Sequence, residues 1–274
     1  MIQIKGLKKA FDDVCAVSDV TLDIPEGTLF GLLGTNGAGK TTMLRILSGI
    51  LEADGGEIGI DGEPLHKAKE KLFFLPDSPY YFPNASMEQM AKFYADQYAD
   101  MDQESVSYMA EALELDVRRP LRTFSKGMKR QAFLILALCA RTKYLLCDEV
   151  FDGLDPIVTE VMKNLFRQEM KERKFTAVVA SHRLGELEDI CGNIAILHKG
   201  GLVTAGDMKG RTEDVKKFQC VFAEGEDVDK IAEEAAKELD VVRSHVDGSF
   251  VTLVIRDKEG DAKAKLAARS AVVV

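Results

Sequence analysis

Apolar and polar positions alternate in the first segments of the chain, MIQIKGL and VSDVTLDI, and this period of two with many β-branched residues predicts strands. TLFGLLG is instead an apolar run ending in glycine, the pattern of a strand covered on both faces. A helix is expected from Lys40 to about Gly49. Beyond it, ADGGEIGIDG reads as a turn, a short strand and a second turn, and LFFLP as a buried strand stopped by Pro76. From Ser86 to Arg141 the period lengthens to that of a helix. SMEQMAKFYADQY and SVSYMAEALEL each carry one apolar face, and TFSKGMKRQAFLILALC opens an apolar helix. YLLCDEV, TAVVAS and IAILHKG return to strand-length apolar runs with helices between them. After about Arg211, KFQCVFAE and SFVTLVIR read as strands flanking the helix VDKIAEEAAKELD. The closing AVVV is strand-like and carries no polar tail, as expected of a chain that continues beyond it.

Together these elements predict an α/β fold with a mostly parallel core sheet wrapped by helices and an antiparallel β part at the amino end. The main domain is expected over residues 1–211, with a helical insertion at about 86–141, and a small α+β appendage over 212–274. A length of 274 residues with 46% apolar content is enough for a sizeable core. The net charge of −9 argues against a protein that coats nucleic acid, because such proteins present a broad basic surface. The 5 cysteines include no CxxC pair and no ligand-like grouping with histidine, so Cys139 and Cys147 are expected as small buried hydrophobes in a reducing, cytoplasmic setting. The longest apolar run, AFLILALCA, is far shorter than the roughly 20 residues that span a bilayer, so any membrane element is expected on another polypeptide.

GTNGAGKTT fits the phosphate-binding pattern of a P-loop NTPase and stands between an apolar strand and a helix. Gly34, Thr35, Asn36, Gly37, Ala38 and Gly39 would turn backbone N–H groups inward around a nucleotide's phosphates. Lys40 would reach the β- and γ-phosphates, and Thr41, followed by Thr42, would offer its hydroxyl to Mg²⁺. The strand end YLLCDE supplies two carboxylates, Asp148 for the metal shell and Glu149 to orient or deprotonate water. His182 ends another strand in TAVVASH, and strand ends of a doubly wound sheet share one edge, which would bring it to the γ-phosphate. Ser125 and Gly127, set among lysines and an arginine at a helix start, form what looks like a second anion site.

The order of a P-loop, SKGM at a helix start, an Asp-Glu strand end, GLDP and SH resembles the ATP-binding subunits of ABC transporters over about residues 1–211. The resemblance implies that Phe11 stacks on adenine, that Ser125 and Gly127 belong to the signature, that Gly153, Leu154 and Asp155 form the D-loop, and that His182 is the switch histidine. It also implies a head-to-tail dimer in which each signature closes over ATP held by the opposite P-loop, so the second anion site serves a partner's nucleotide. The partner would be a second copy or a related subunit, and a separate transmembrane permease subunit would complete the machine at the inner face of the membrane. Two departures stand out. Lys126, Gly127 and Met128 replace the usual Gly-Gly-Gln, a pattern like that of export-type ATPases. Asp77 stands where the Q-loop normally has glutamine, and is expected to ligate Mg²⁺ or its water; a plain loop-capping role is its alternative. The expected function is therefore Mg-dependent ATP hydrolysis in an ABC transporter, an exporter by these features. The alternative is a soluble ABC-type ATPase acting as a clamp or assembly scaffold, and a P-loop kinase would leave SKGM, GLDP and SH without a role.

Overall fold

The computed structural model of the chain describes residues 1–208, 215–221, 238–247, 250–257, 260–267 and 272–273. The chain divides into two compact units, Met1–Gly206 and Asp207–Val274.

In the first unit, the alternating segments form an antiparallel sheet. β1 (Ile2–Phe11) pairs with β2 (Val14–Ile24) and with β4 (Gly55–Ile60), and β4 pairs with β5 (Glu63–Pro64). One face of β1 and β2 points inward through Ile2, Ile4, Leu7, Val17, Val20, Leu22 and Ile24, a period of two interrupted by register shifts on either side of Leu7. A second sheet has the order β10-β9-β3-β8-β7-β6, built from β3 (Leu29–Leu33), β6 (Leu72–Leu75), β7 (Tyr144–Asp148), β8 (Thr176–Ser181), β9 (Asn193–His198) and β10 (Gly201–Asp207). The β3/β8, β3/β9, β6/β7 and β7/β8 pairs are all parallel. Helix α1 (Lys40–Leu47) buries Met43, Leu44, Ile46 and Leu47 in one apolar cluster with residues of both sheets, among them Ile4, Leu22, Leu32 and Val178. The phosphate loop therefore leads straight into an apolar core shared by both sheets.

The helical insertion comprises α2 (Met87–Ala95), α3 (Gln103–Glu111) and α4 (Lys126–Cys139). Each start is set by a side chain that takes over a backbone N–H without an acceptor. Ser86 and Gln89 form a reciprocal capping box, Asp102 accepts from the Ser105 N–H, and Ser125 accepts from the Met128 N–H at 3.1 Å. Every residue of α4 from Arg130 to Cys139 is buried, so this helix is part of the core rather than a cover over it. Two further helices, α5 (Pro156–Arg173) and α6 (Leu184–Leu187), follow β7 and β8. Among the described residues no helix is long and apolar enough to cross a membrane. Cys139 and Cys147 are buried as expected, and burial pushes both thiols up, that of Cys139 to about 12.

In the second unit, β11 (Val215–Val221), β12 (Val241–Asp247), β13 (Phe250–Arg256) and β14 (Val272–Val273) form a sheet of order β12-β13-β11-β14 with a short helix, α7 (Ala262–Ala267). β11, β13 and the terminal valines match the strands expected; β12 does not. The helix expected over VDKIAEEAAKELD lies almost wholly outside the described residues. Phe218, Cys220, Val251, Leu253, Ile255, Ala262 and Leu266 make this unit's own small core.

Candidate functional site

The strand order places β8 between β3 and β7, so the ends of three adjacent parallel strands carry the phosphate loop, the Ser181-His182 pair and the Asp148-Glu149 pair. The Gly34 N–H donates to the Ser181 carbonyl at 3.2 Å and fixes the start of the loop on β8. Gly39, at the N-cap of α1, has φ 101, and a Cβ there would stand 2.3 Å from the Ala16 carbonyl oxygen, so only glycine closes the turn. Gly37, at φ 79, has no atom within 4 Å of an added Cβ and so borders open space. The first amides of α1 have no preceding turn to bond, and the helix dipole adds positive potential there; this is a cradle for an anion.

Lys40 is 5% exposed, and its Nζ donates to the Gly34 carbonyl at 2.6 Å and lies 3.2 Å from Glu149 Oε1. His182 Nδ1 stands 2.9 Å from Glu149 Oε2. Both oxygens of Glu149 are thus held. Its backbone is held too, at φ 51, with its N–H donating to the Ala180 carbonyl at 3.0 Å. A left-handed conformation costs a non-glycine residue about 1–3 kcal/mol and persists only where its surroundings enforce it, as at many active sites.

Asp148 is 2% exposed, and its Oδ1 has no hydrogen-bond partner among the described residues. Burial raises its pKa; a hydrogen bond from Thr41 and the charge of Lys40 oppose this, while the charges of Glu149 and Asp77 add to it, and the net direction is upward. Because the folded value lies above the unfolded one, this carboxyl costs stability. The cost is absent below the unfolded pKa and complete once the pH exceeds the folded one. An unpaired buried carboxylate oxygen beside a threonine hydroxyl is the donor set of a hard divalent cation, so these residues fit Mg²⁺. Asp148→Asn is accordingly expected to stabilise the nucleotide-free protein by about 1 kcal/mol in thermal unfolding while Mg-dependent ATP turnover falls below detection. Loss of both stability and turnover would mean that Asp148 is needed for folding instead.

Several expected residues sit apart from this cluster. Phe11 is 46% exposed at the end of β1, which excludes core packing, and Lys9 Nζ lies 5.5 Å from the centre of its ring. Ser125 and Gly127 share no hydrogen bond or ion pair with Lys40, Glu149 or His182 among the described residues. A Cβ on Gly127 would meet only Leu154 Cδ2 at 3.5 Å and Ser125 Oγ at 4.0 Å, so nothing among the described residues requires glycine there. Gly153 has φ 70, and Asp155 caps α5, its Oδ1 accepting from the Val158 N–H at 3.0 Å.

Asp77 has partners other than the expected metal. Its Oδ1 accepts from the guanidinium of Arg130, a residue the sequence left unassigned. The same guanidinium lies 3.4 Å from Asp152 Oδ2, and Arg183 Nη2 lies 3.9 Å from Asp152 Oδ1. The sequence carries no distinct signal for this cluster, because Arg130 stands among Lys126, Lys129 and Gln131 in the polar first half of α4.

A model of the ABC transporter family matches residues 17–152. The chain is 30% identical, over 97% of its length and 90% of the relative's, to the ABC transporter ATP-binding protein YtrB of Bacillus subtilis (strain 168). It is 28% identical to the bacitracin transport ATP-binding protein BcrA of Bacillus licheniformis, over 80% of this chain and 74% of that one. Among solved structures, an ATP-binding cassette seen as a dimer in a post-hydrolysis state with ADP and Pi superimposes with a TM-score of 0.68 at 21% identity, covering 76% of this chain and 99% of the other.

Proposed function

The chain belongs to the ABC transporter family as an ATP-binding subunit, and from that premise we propose that it hydrolyses Mg-ATP within a dimer of such domains to drive a separate membrane permease, as an exporter. The observation that carries the ATPase reading is Glu149, held at both oxygens by Lys40 and His182 beside the phosphate loop. In this reading the loop amides and Lys40 hold the phosphates, the Thr41 hydroxyl and Asp148 hold Mg²⁺, and Phe11 offers its exposed ring to adenine. The metal, when bound, neutralises charge on the phosphate oxygens. Glu149 orients the attacking water and accepts its proton as the bond to the γ-phosphorus forms and the bond to ADP breaks. His182 holds that carboxylate in place.

An exporter role draws support from SKGM and from the name of BcrA, a transport protein. A permease partner draws support from the surface. Tyr80 is 76% exposed, and its ring packs on Phe82, which packs on Phe93 of α2, so an unbroken aromatic stripe runs from the segment before α2 onto that helix and faces outward. Exposed aromatics in a continuous patch mark interaction sites. The test has two arms. The purified chain should release phosphate from Mg-ATP with no acceptor present, and a tagged copy should co-purify from detergent extracts with a polytopic membrane protein. Turnover without such a partner would favour the soluble clamp.

A further inference from the structure

Resting on this ATPase reading, we propose that Arg130 is a positioning residue that neutralises Asp77 beside the nucleotide site and ties it to Asp152 in the turn after Glu149.

Arg130 lies in the second turn of α4, and its side chain is 5% exposed. Three stretches of chain converge on it. Asp77 comes from the segment after β6, Asp152 from the turn joining β7 to α5, and Arg130 itself from the helix that Ser125 caps. Asp77, Arg130 and Asp148 line one small cavity of about 10 Å³ together with Pro76 and Val150. The negative charge of Asp77 is felt at Asp148.

An aspartate so close to the metal-binding carboxylate has an evident cost. It adds charge of the same sign as the triphosphate, and although its carboxylate is 44% exposed and so partly screened by water, the side facing the cavity looks toward buried Asp148. A buried guanidinium bonded to it offsets that cost, and Arg183, 3.9 Å from Asp152, helps to balance the second carboxylate that Arg130 engages. Arginine suits the task because its planar fork engages two carboxylates at once and cannot deprotonate. One arm reaches Asp77, and the other reaches Asp152, a short turn away from Glu149. A Cβ on Gly153 would stand 3.4 Å from Arg130 Nη1, so that turn packs directly on the guanidinium.

The arrangement makes Asp77 and Arg130 interdependent, which a two-residue cycle measures. Arg130→Gln should weaken equilibrium Mg-ATP affinity at least tenfold, because Asp77 then faces the phosphates unneutralised. Asp77→Asn alone should stay within threefold of wild type, since Arg130 keeps Asp152. The double variant Asp77→Asn/Arg130→Gln should also return to within threefold. Affinity is read with a fluorescent ATP analogue, and thermal unfolding of each variant is measured beside it. A purely structural arginine would lower the unfolding temperature and leave the double variant no better than Arg130→Gln; that pattern overturns the proposal, as does unchanged affinity in Arg130→Gln. Should Arg130→Gln not fold, Arg130→Lys keeps the charge and should bind within threefold of wild type, and a tenfold loss there overturns it. A wild-type chain that binds Mg-ATP and never releases phosphate would sink the ATPase reading while leaving this cycle fully readable.

Discussion

Glu149→Gln is expected to lower phosphate release at least 10²-fold, the low end of what a positioned general base contributes. Glutamine keeps the size and the hydrogen-bonding reach of the side chain, so the strand end, the contact to the Ala180 carbonyl and the place for His182 all survive. What disappears is the negative charge, which in the proposed reaction takes a proton from water and which pairs with Lys40 at 3.2 Å. Lys40 then has only carbonyl partners and a stronger pull on phosphate, so ATP affinity should be kept or should rise. Hydrolysis stalls while binding persists, and the nucleotide-closed dimer should accumulate, visible by light scattering with Mg-ATP and absent with Mg-ADP. A variant that hydrolyses at the wild-type rate would falsify the role given to Glu149.

The second large effect is expected at Ser125, which among the described residues shares no hydrogen bond or ion pair with Lys40, Glu149 or His182. Ser125→Arg should abolish both turnover and nucleotide-driven dimerisation while ATP affinity of the monomer stays within about threefold. Ser125 caps α4 and is itself exposed, and a Cβ added at Gly127 would make only ordinary contacts with Leu154 and Ser125. A helix start with free amides and an open approach suits the phosphate of another subunit. Arginine fills that approach. It also removes the cap, at a cost of about 1 kcal/mol, so the variant must be measured well below its lowered unfolding temperature. If monomer affinity collapses together with turnover, the site does not serve a partner.

Much of this was legible from residue order. Gly34 to Thr42, Asp148, Glu149 and His182 were readable because each follows an apolar strand, and a parallel sheet brings such strand ends to one edge. The partners of Asp77 were not readable. Its guanidinium comes from Arg130, and the third member, Asp152, from a different turn; pairing across three elements leaves no periodic trace. Arg130 follows Lys129 and precedes Gln131, so the sequence reads it as one more polar residue at a helix start, and a buried charge shows its meaning only when its counter-charge is in view. β12 was missed for another reason. VVRSHVD alternates weakly, and the charged helical pattern before it dominates the window. The register pairs Asp247 with Phe250, so the overlooked hairpin signal in the sequence was the Gly-Ser dipeptide between them.

The position of β3 carries a consequence for how the protein is made. The strand that launches the phosphate loop leaves the ribosome early, yet both of its neighbours in the sheet are synthesised late: Leu29 pairs with Ala177 and Phe30 with Asn193. The anchor of Gly34 is the carbonyl of Ser181, also late. Until β8 and β9 have emerged, the glycine loop has no sheet to stand on, and closing so long a separation is the slow step of such folds. The nascent chain therefore carries its phosphate motif through most of translation without a phosphate site, and competence to bind nucleotide comes only near the end of the first unit's synthesis.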